Sequence, residues 1–397
     1  MNLILYDPPE HHTRLFPLTM SRPISEIRVG VFTISDRWEL ISGIRPSYLT
    51  ATFLQKKFPA RIEKDNILVN GSIIPDRHLF DRIISLNMNE VLYLGELPLA
   101  IRISEVLNIS DFDRLNSDRF KKVQYDGIPD RIERLADIFL LNGEQIVKDI
   151  QHIERNLGHE IQDNHTIIYS DENLYVGKNT SIKAAILDAE SGPIYIEDQV
   201  TIQPGAVISG PCAILQGSVI SIGAKIRPNT TIGPFCKIGG EVSNAVFQGY
   251  SNKSHDGFLG TSVVGEWCNF GAGSNNSNLK NNYGDIKIWD YAKEKMTSTG
   301  HQYFGLVMGD HSKCGINTMF NTGTVVGFSA NIYDGGYMPK FIPSFAWGNR
   351  SDFSTYELEK AVTIARRVME RRSVTMSKED AEIFKSIFNF TSKHRLP

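Results

Sequence analysis

Residues 196–238 read IEDQVTIQPGAVISGPCAILQGSVISIGAKIRPNTTIGPFCKI, and isoleucine recurs at 196, 202, 208, 214, 220, 226, 232 and 238 without a miss. Four residues after each stands a smaller side chain: Val200, Ala206, Cys212, Ser218, Ala224, Thr230, Cys236 and Val242. A period of six matches neither the 3.6 of a helix nor the 2 of a half-buried strand. It suits a coil with short flat sides, each carrying one large and one small inward residue. Glycine and asparagine at the remaining positions tolerate the positive φ that the corners require. The pattern begins at Val176 and Ile182 and slips by two. After Ile238 it slips by two again, resumes at Val246, Phe258, Val264 and Phe270, and returns after an interruption at Met308, Cys314, Phe320, Val326 and Ile332.

The composition agrees with a folded, soluble protein. The chain has 397 residues, 41% of them hydrophobic and 22% charged, and 42 Lys+Arg against 45 Asp+Glu give a formal charge of 42 − 45 = −3. Near-neutrality removes the basic field that nucleic acid or an anionic membrane would need. The apolar run at the start, MNLILY, is cut by Asp7 and two prolines. That is too short for a signal peptide or a membrane span, so a cytoplasmic protein is expected. The four cysteines, at 212, 236, 268 and 314, lack CxxC spacing and fall on inward positions of the repeat, so core packing is their expected role.

The [Ile/Val]-x-x-x-[small]-x repeat resembles the hexapeptide signature of left-handed parallel β-helix acyltransferases. Between 250 and 283 the chain reads YSNKSHDGFLGTSVVGEWCNFGAGSNNSNLKNNY. This is similar to the acetyltransferase core of the bifunctional N-acetylglucosamine-1-phosphate uridyltransferase/glucosamine-1-phosphate acetyltransferase family. That family reads roughly G-H-x-x-[Tyr]-x-G, then I-G-x-x-x-N-x-G-A-G-T. The resemblance implies trimers with acyl-CoA sites between subunits and His255 as the general base. A sugar ammonium must lose a proton before it can attack a thioester, and imidazole titrates in the right range. The alternative for His255 is a surface histidine on a turn.

By the same resemblance Asn269 and Asn278 contact the sugar, or else serve as turn asparagines. Gly271, Ala272 and Gly273 bring backbone close to the acetyl-CoA thioester, where an N–H could hold the oxyanion. Arg227 falls where the family keeps an arginine on the sugar phosphate. Phe258 replaces the family's tyrosine, and the upstream lysine position is occupied by Ser243 or its neighbours, which leaves room for a sugar other than glucosamine-1-phosphate; Lys253 and Lys280 are the candidates to supply the missing phosphate charge. The insertion 280–305, with Lys287, Lys293, Lys295 and His301, interrupts the repeat beside this segment, where excursions from a solenoid usually shape a pocket.

Residues 1–110 alternate apolar runs (LILY, VGVFTI, NILVNG, EVLYLG) with helical stretches such as 47–57, an α/β pattern. HTRLFPLTMSRPISEIRVGVF resembles the opening of sugar nucleotidyltransferases through Thr13, Arg14, Leu15, Pro17, Leu18 and Thr19. The resemblance implies a nucleotide site with Arg14 and Arg22 on its phosphates and Mg²⁺ if the domain is active. The family's glycine loop is replaced by DPPEHH, however, and its magnesium aspartate by Ser72, with Asp7 or Asp76 as candidate substitutes. No set of metal ligands follows from the resemblance.

Residues 130–157 carry Leu135, Ile138, Phe139, Ile146 and Ile150 at helical spacing. In the tail, Ser354 with Glu357 and Ser377 with Asp380 read as caps of two helices, the first bearing Arg366, Arg367, Arg371 and Arg372. The resemblance assigns Arg366 and Arg367 to coenzyme A, against a solvated helix face.

The sequence thus predicts an α/β nucleotidyltransferase-like domain (1–125), a helical linker (126–164), a left-handed β-helix (165–342) and C-terminal helices (343–397). The expected protein is a homotrimeric acetyl-CoA-dependent N-acetyltransferase acting on an amino-sugar phosphate. Sugar-1-phosphate nucleotidyl transfer from UTP, or a non-catalytic trimeric scaffold or sensor, are the alternatives.

Overall fold

The computed structural model describes residues 1–104, 120–153, 161–350 and 352–395. The chain divides into two compact units, one of residues 1–27 and 32–137, the other of residues 28–31 and 138–397.

The first unit is built on a six-stranded mixed sheet. Its strands are β1 (Asn2–Tyr6), β2 (Ser47–Leu49), β3 (Asn66–Asn70), β4 (Glu90–Leu94), β5 (Leu97–Ile103) and β6 (Lys121–Gln124), in the order β2-β1-β3-β5-β4-β6. NLILY and NILVN are buried throughout and pair in parallel, as uninterrupted apolar runs do when both faces of a sheet are covered. Helices α1 (Pro9–Arg14), α2 (Ile34–Ser42) and α3 (Arg77–Ile84) accompany the strands. Thr33 and Asp36 close a reciprocal capping box on α2, and Asp76 caps α3 by accepting from the Leu79 amide at 2.7 Å.

Two expectations for this region are overturned. The stretch 47–57 is strand β2 followed by turns, because Tyr48 and Leu49 pair with Leu5 and Tyr6 along the sheet edge. VGVFTI is no strand; it runs into the cap of α2, and residues 28–31 belong to the second unit.

In the second unit the repeat folds as expected into a parallel β-helix. Ile196 pairs with Ile214 and Ile214 with Ile232, a step of 18 residues, so three sides of six residues make one coil. All eight isoleucines and all eight small residues of 196–242 are buried, as are the four cysteines, whose thiols burial pushes up. Beyond Ile238 the inward column departs from the predicted positions. Register pairs Ile232 with Phe247 and Val242 with Leu259, which places Phe247 and Leu259 inside and leaves Phe258 half-buried on the outer face. One corner is formed by Phe235, Tyr250, Trp267 and His311, each at positive φ. Their rings stack from coil to coil, Tyr250 on Trp267 at 4.2 Å between centroids.

Helix α4 (Leu135–Ile150) buries all five of its predicted apolar positions. Residues 154–160 of the predicted linker lie outside the described residues. The segment 28–31 is fastened to the coil by polar contacts. Gln248 bonds both the amide and the carbonyl of Arg28, Asn142 Oδ1 accepts from the Gly30 amide at 2.7 Å, and Thr231 Oγ1 donates to the Gly30 carbonyl. These bonds satisfy buried backbone groups that no ladder reaches.

The C-terminal helices are α5 (Leu358–Glu370) and α6 (Lys378–Phe390). Ser377 and Asp380 form the predicted capping box. Ser354 does not cap α5; it lies in the strand Asp352–Thr355 and donates to the Trp347 carbonyl, and α5 begins at Leu358.

Candidate functional site

The turn that carries His255 and the turn that carries the GAG element lie on successive coils. Asn252 pairs with Asn269, so three residues further along each chain His255 stands opposite Ala272. The Gly273 amide donates to the Asp256 carbonyl at 3.0 Å and confirms the alignment. Adjacent coils are separated by roughly 4.8 Å, the spacing of hydrogen-bonded strands. The side chain of His255 is exposed, and its ring has no hydrogen-bond partner among the described residues.

The glycines of the GAG element have packing reasons. A Cβ on Gly271 would come 2.3 Å from the Gly315 backbone of the next coil. Gly273 has φ +69°, and a Cβ there would sit 2.2 Å from Asn317 Oδ1. Both amides are spent on the coil, Gly271 on the Cys314 carbonyl and Gly273 on Asp256. The Ser274 amide closes the turn onto the Gly271 carbonyl at 3.3 Å. The Ala272 amide, at the apex of this turn, makes none of these bonds and has no partner among the described residues.

The other expected substrate residues each have contacts of their own. Asn278 Nδ2 donates to Thr261 Oγ1 at 3.1 Å, and the Phe258 amide donates to Asn275 Oδ1 at 2.7 Å. Arg227 is exposed and sits 3.4 Å from Glu241. Lys280 bonds the Asp285 carbonyl within the insertion. Asn269 is exposed and lies 3.5 Å from Asn252.

Lys253 is a correction. It takes the inward position next to Ile238, is 2% exposed, and its Nζ donates to the carbonyls of Gly239, His255 and Gly257 at 3.1, 3.1 and 2.7 Å. An ammonium so engaged is not offered to a sugar phosphate.

Of the tail arginines, Arg366 and Arg367 are exposed on α5. The one that reaches the coil is Arg372, whose Nη2 donates to Asn252 Oδ1 at 2.8 Å. Helical spacing held that signal, since Ala361, Ala365 and Met369 form the buried stripe and Arg372 follows Met369 by three. Asn276 was missed as well. It is buried, and its side chain accepts from the Gly260 amide at 2.8 Å and donates to the Gly260 carbonyl at 3.0 Å, standing in for a ladder where the coil face is broken. The insertion forms a hairpin, Lys287–Asp290 against Lys295–Ser298, held by Trp289 stacked on Phe341 at 4.3 Å and by Lys393 paired with Glu294.

In the first unit, Asp7 follows the carboxyl end of β1, where ligands of α/β sheets collect. It is 1% exposed, accepts from the Ile24 amide and from Thr50 Oγ1, and burial pushes its carboxyl up to about 7. His12 lies 3.9 Å away, and burial pushes it down to about 4. Ser72, at the position of the family's aspartate, gives both its amide and its hydroxyl to Asn70 Oδ1. Asp76 is committed to capping α3. Among the described residues no group of three His, Cys, Asp or Glu is placed to hold a metal ion. Mg²⁺ is commonly held by one or two carboxylates together with substrate phosphates; of the two candidates, Asp76 is taken up by its cap and Asp7 lies buried among its hydrogen-bond donors. Arg14 is paired with Glu10 at 2.8 Å at the surface, whereas Arg22 is buried, so the two expected phosphate contacts lie in different environments.

Residues 3–157 match the sugar nucleotidyl transferase family. The chain is 30% identical over 275 residues to the bifunctional sugar-1-phosphate nucleotidylyltransferase/acetyltransferase of Sulfurisphaera tokodaii, covering 68% of this chain and 61% of that protein. It is 25% identical over 266 residues to the bifunctional protein GlmU of Methanococcus aeolicus, covering 66% and 55% respectively. The chain therefore spans somewhat over half the length of these relatives. Among solved structures it is similar to a UDP-N-acetylglucosamine acyltransferase from Campylobacter jejuni, with a TM-score of 0.23, 15% identity and coverage of 59% of this chain and 90% of that one. The resemblance read from the repeat and from the PLT opening is borne out by these relatives, which are transferases. Among the described residues no helix is long and apolar enough to cross a membrane.

Proposed function

We propose that this relative of bifunctional nucleotidylyltransferase/acetyltransferases is an N-acetyltransferase that moves the acetyl group of acetyl-CoA to an amino-sugar phosphate. The observation that carries the reading is the pairing of an exposed histidine with an uncommitted backbone amide on adjacent coils, His255 opposite Ala272. Neutral His255 takes a proton from the sugar ammonium; the freed amine attacks the thioester carbonyl, and the tetrahedral oxyanion accepts a hydrogen bond from the Ala272 amide. As the carbon–sulfur bond breaks, the nitrogen gives up its second proton to solvent, coenzyme A leaves as the thiolate and is protonated by the imidazolium, and the neutral N-acetyl sugar remains. Asn269, Asn278, Phe258, Arg227 and Lys280 line the approach of the sugar phosphate. Gly271 and Gly273 hold the turn, and Arg366 and Arg367 are kept for the coenzyme A phosphates. A cytoplasmic homotrimer is part of the same proposal.

The test is to mix the protein with acetyl-CoA and a panel of amino-sugar phosphates and follow free thiol. Thiol released only when a primary amine is present supports acyl transfer. Release that is absent, or indifferent to the amine, contradicts it.

The match of residues 3–157 favours a second reading, in which the first unit binds a nucleotide and transfers its nucleotidyl group to a sugar-1-phosphate. It predicts pyrophosphate release from UTP that Mg²⁺ stimulates and that Arg14→Ala abolishes.

A further inference from the structure

The column that runs up one inner side of the coil consists of Ile182, Ile202, Ile220, Ile238, Lys253, Phe270, Cys314 and Ile332, with one lysine among apolar side chains. Ile238 fills this position in the coil before and Phe270 in the coil after, so packing alone does not call for an amine. A buried ammonium is tolerated when hydrogen bonds replace its water, and here three backbone carbonyls do so. Two of them, those of His255 and Gly257, belong to the turn that carries the candidate base; the third, Gly239, belongs to the coil before it. The turn is cramped: Gly257 has φ +124°, and a Cβ there would meet the Ser274 carbonyl oxygen at 2.1 Å. Residues 254–257 lie between the strands that end at Lys253 and resume at Phe258, and their backbone bonds to the neighbouring coils run through the Asp256 and Gly257 carbonyls, which accept from the Gly273 and Glu241 amides; the His255 carbonyl has the Lys253 ammonium.

We propose that Lys253 is a positioning residue for His255: its ammonium holds the His255 and Gly257 carbonyls against the coil interior and so fixes the direction in which the imidazole leaves the turn. This rests on reading His255 as the base. The groups that act on the ammonium are Asp256, beside it in the turn, and Cys314, below it in the column, whose thiol burial keeps protonated. Burial pushes Lys253 itself down to about 8, so the clamp is charged at neutral pH.

The experiment compares Lys253→Met, which keeps the length and removes every donor, with Lys253→Gln, which keeps a donor at a shorter reach. The first readout needs no substrate: the His255 ring signals in an NMR spectrum of the folded protein, identified by their loss in His255→Ala. The expected result is that Lys253→Met displaces and broadens them and that Lys253→Gln does so less. The second readout is kinetic. Lys253→Met should lower kcat at least 10-fold, the size of effect expected when a general base is misplaced, with KM for acetyl-CoA within twofold, and should cause no further fall in the His255→Ala background. Unchanged His255 signals and unchanged kcat in either folded variant overturn the proposal, as does an equal fall in both backgrounds. Should His255→Ala itself leave turnover intact, the functional reading fails, and the ring signals alone still decide whether Lys253 orients the imidazole. If Lys253→Met does not fold, Lys253→Gln decides by the same two readouts.

Discussion

The Asp256 carbonyl accepts the Gly273 amide proton at 3.0 Å, and this bond sets the histidine turn of one coil against the GAG turn of the next. The catalytic reading depends on that juxtaposition, because a base and an oxyanion donor must address the same reacting carbon.

Replacing Ala272 by proline separates the donor from the turn. The Gly271–Ser274 turn has positive φ at its third residue, and proline is well accepted at the second residue of such a turn. Ala272→Pro is expected to leave thermal stability within about 0.5 kcal/mol, as for a surface change without a broken contact. Turnover should fall by roughly 10²–10³, the effect of losing one oxyanion donor. Thermal melts and steady-state kinetics on the same preparation check both halves.

Gly271→Ala should act in the opposite way. Its new methyl would meet backbone of the next coil at 2.3 Å, and backbone in a stacked coil has little room to yield. Overpacking of this kind costs about 1–3 kcal/mol. Chemical denaturation should show a lower midpoint, and an unchanged midpoint would mean that the coils can slide apart.

Asp7 and His12 give the first unit opposing pH responses. The carboxyl is raised to about 7 in the fold, so its contribution to stability is full below the unfolded carboxylate range near 4 and is lost as pH rises from there to 7. The imidazole is lowered to about 4, so its contribution is absent below 4 and grows as pH rises to the ordinary histidine value near 6.5. The two nearly offset one another. Asp7→Asn removes the falling component, so the stability of that variant should climb with pH between about 4 and 6.5, whereas the parent changes little. Denaturant midpoints at pH 4.5, 5.5 and 6.5 measure it.

Much of this architecture was legible because a six-residue period is unlike any helix or simple strand. Each isoleucine from 196 to 238 and each small partner found its place inside. The reading weakened where the period broke. Phe247 and Leu259 are inward where Val246 and Phe258 were expected, because the coil beyond Ile238 is shorter and register passes through the backbone ladder, which composition does not display. Lys253 was misread for a related reason: a charged residue in a polar segment looks exposed, and only the three converging carbonyls show why it is not. Arg372 was legible in principle from helical spacing with Met369, and Asn276 was not, since its role arises from a gap between coils. In the first unit the apolar strands were readable and the short edge strand Ser47–Leu49 was not, its pairing being set by β1 rather than by its own pattern.

The most direct measurement is the rate of acetyl transfer by His255→Ala on whichever amino-sugar phosphate the parent protein acetylates, with coenzyme A affinity measured alongside. Turnover lower by at least about 10²-fold, with coenzyme A binding retained, is the predicted result for loss of a general base. Turnover equal to that of the parent protein would contradict the account.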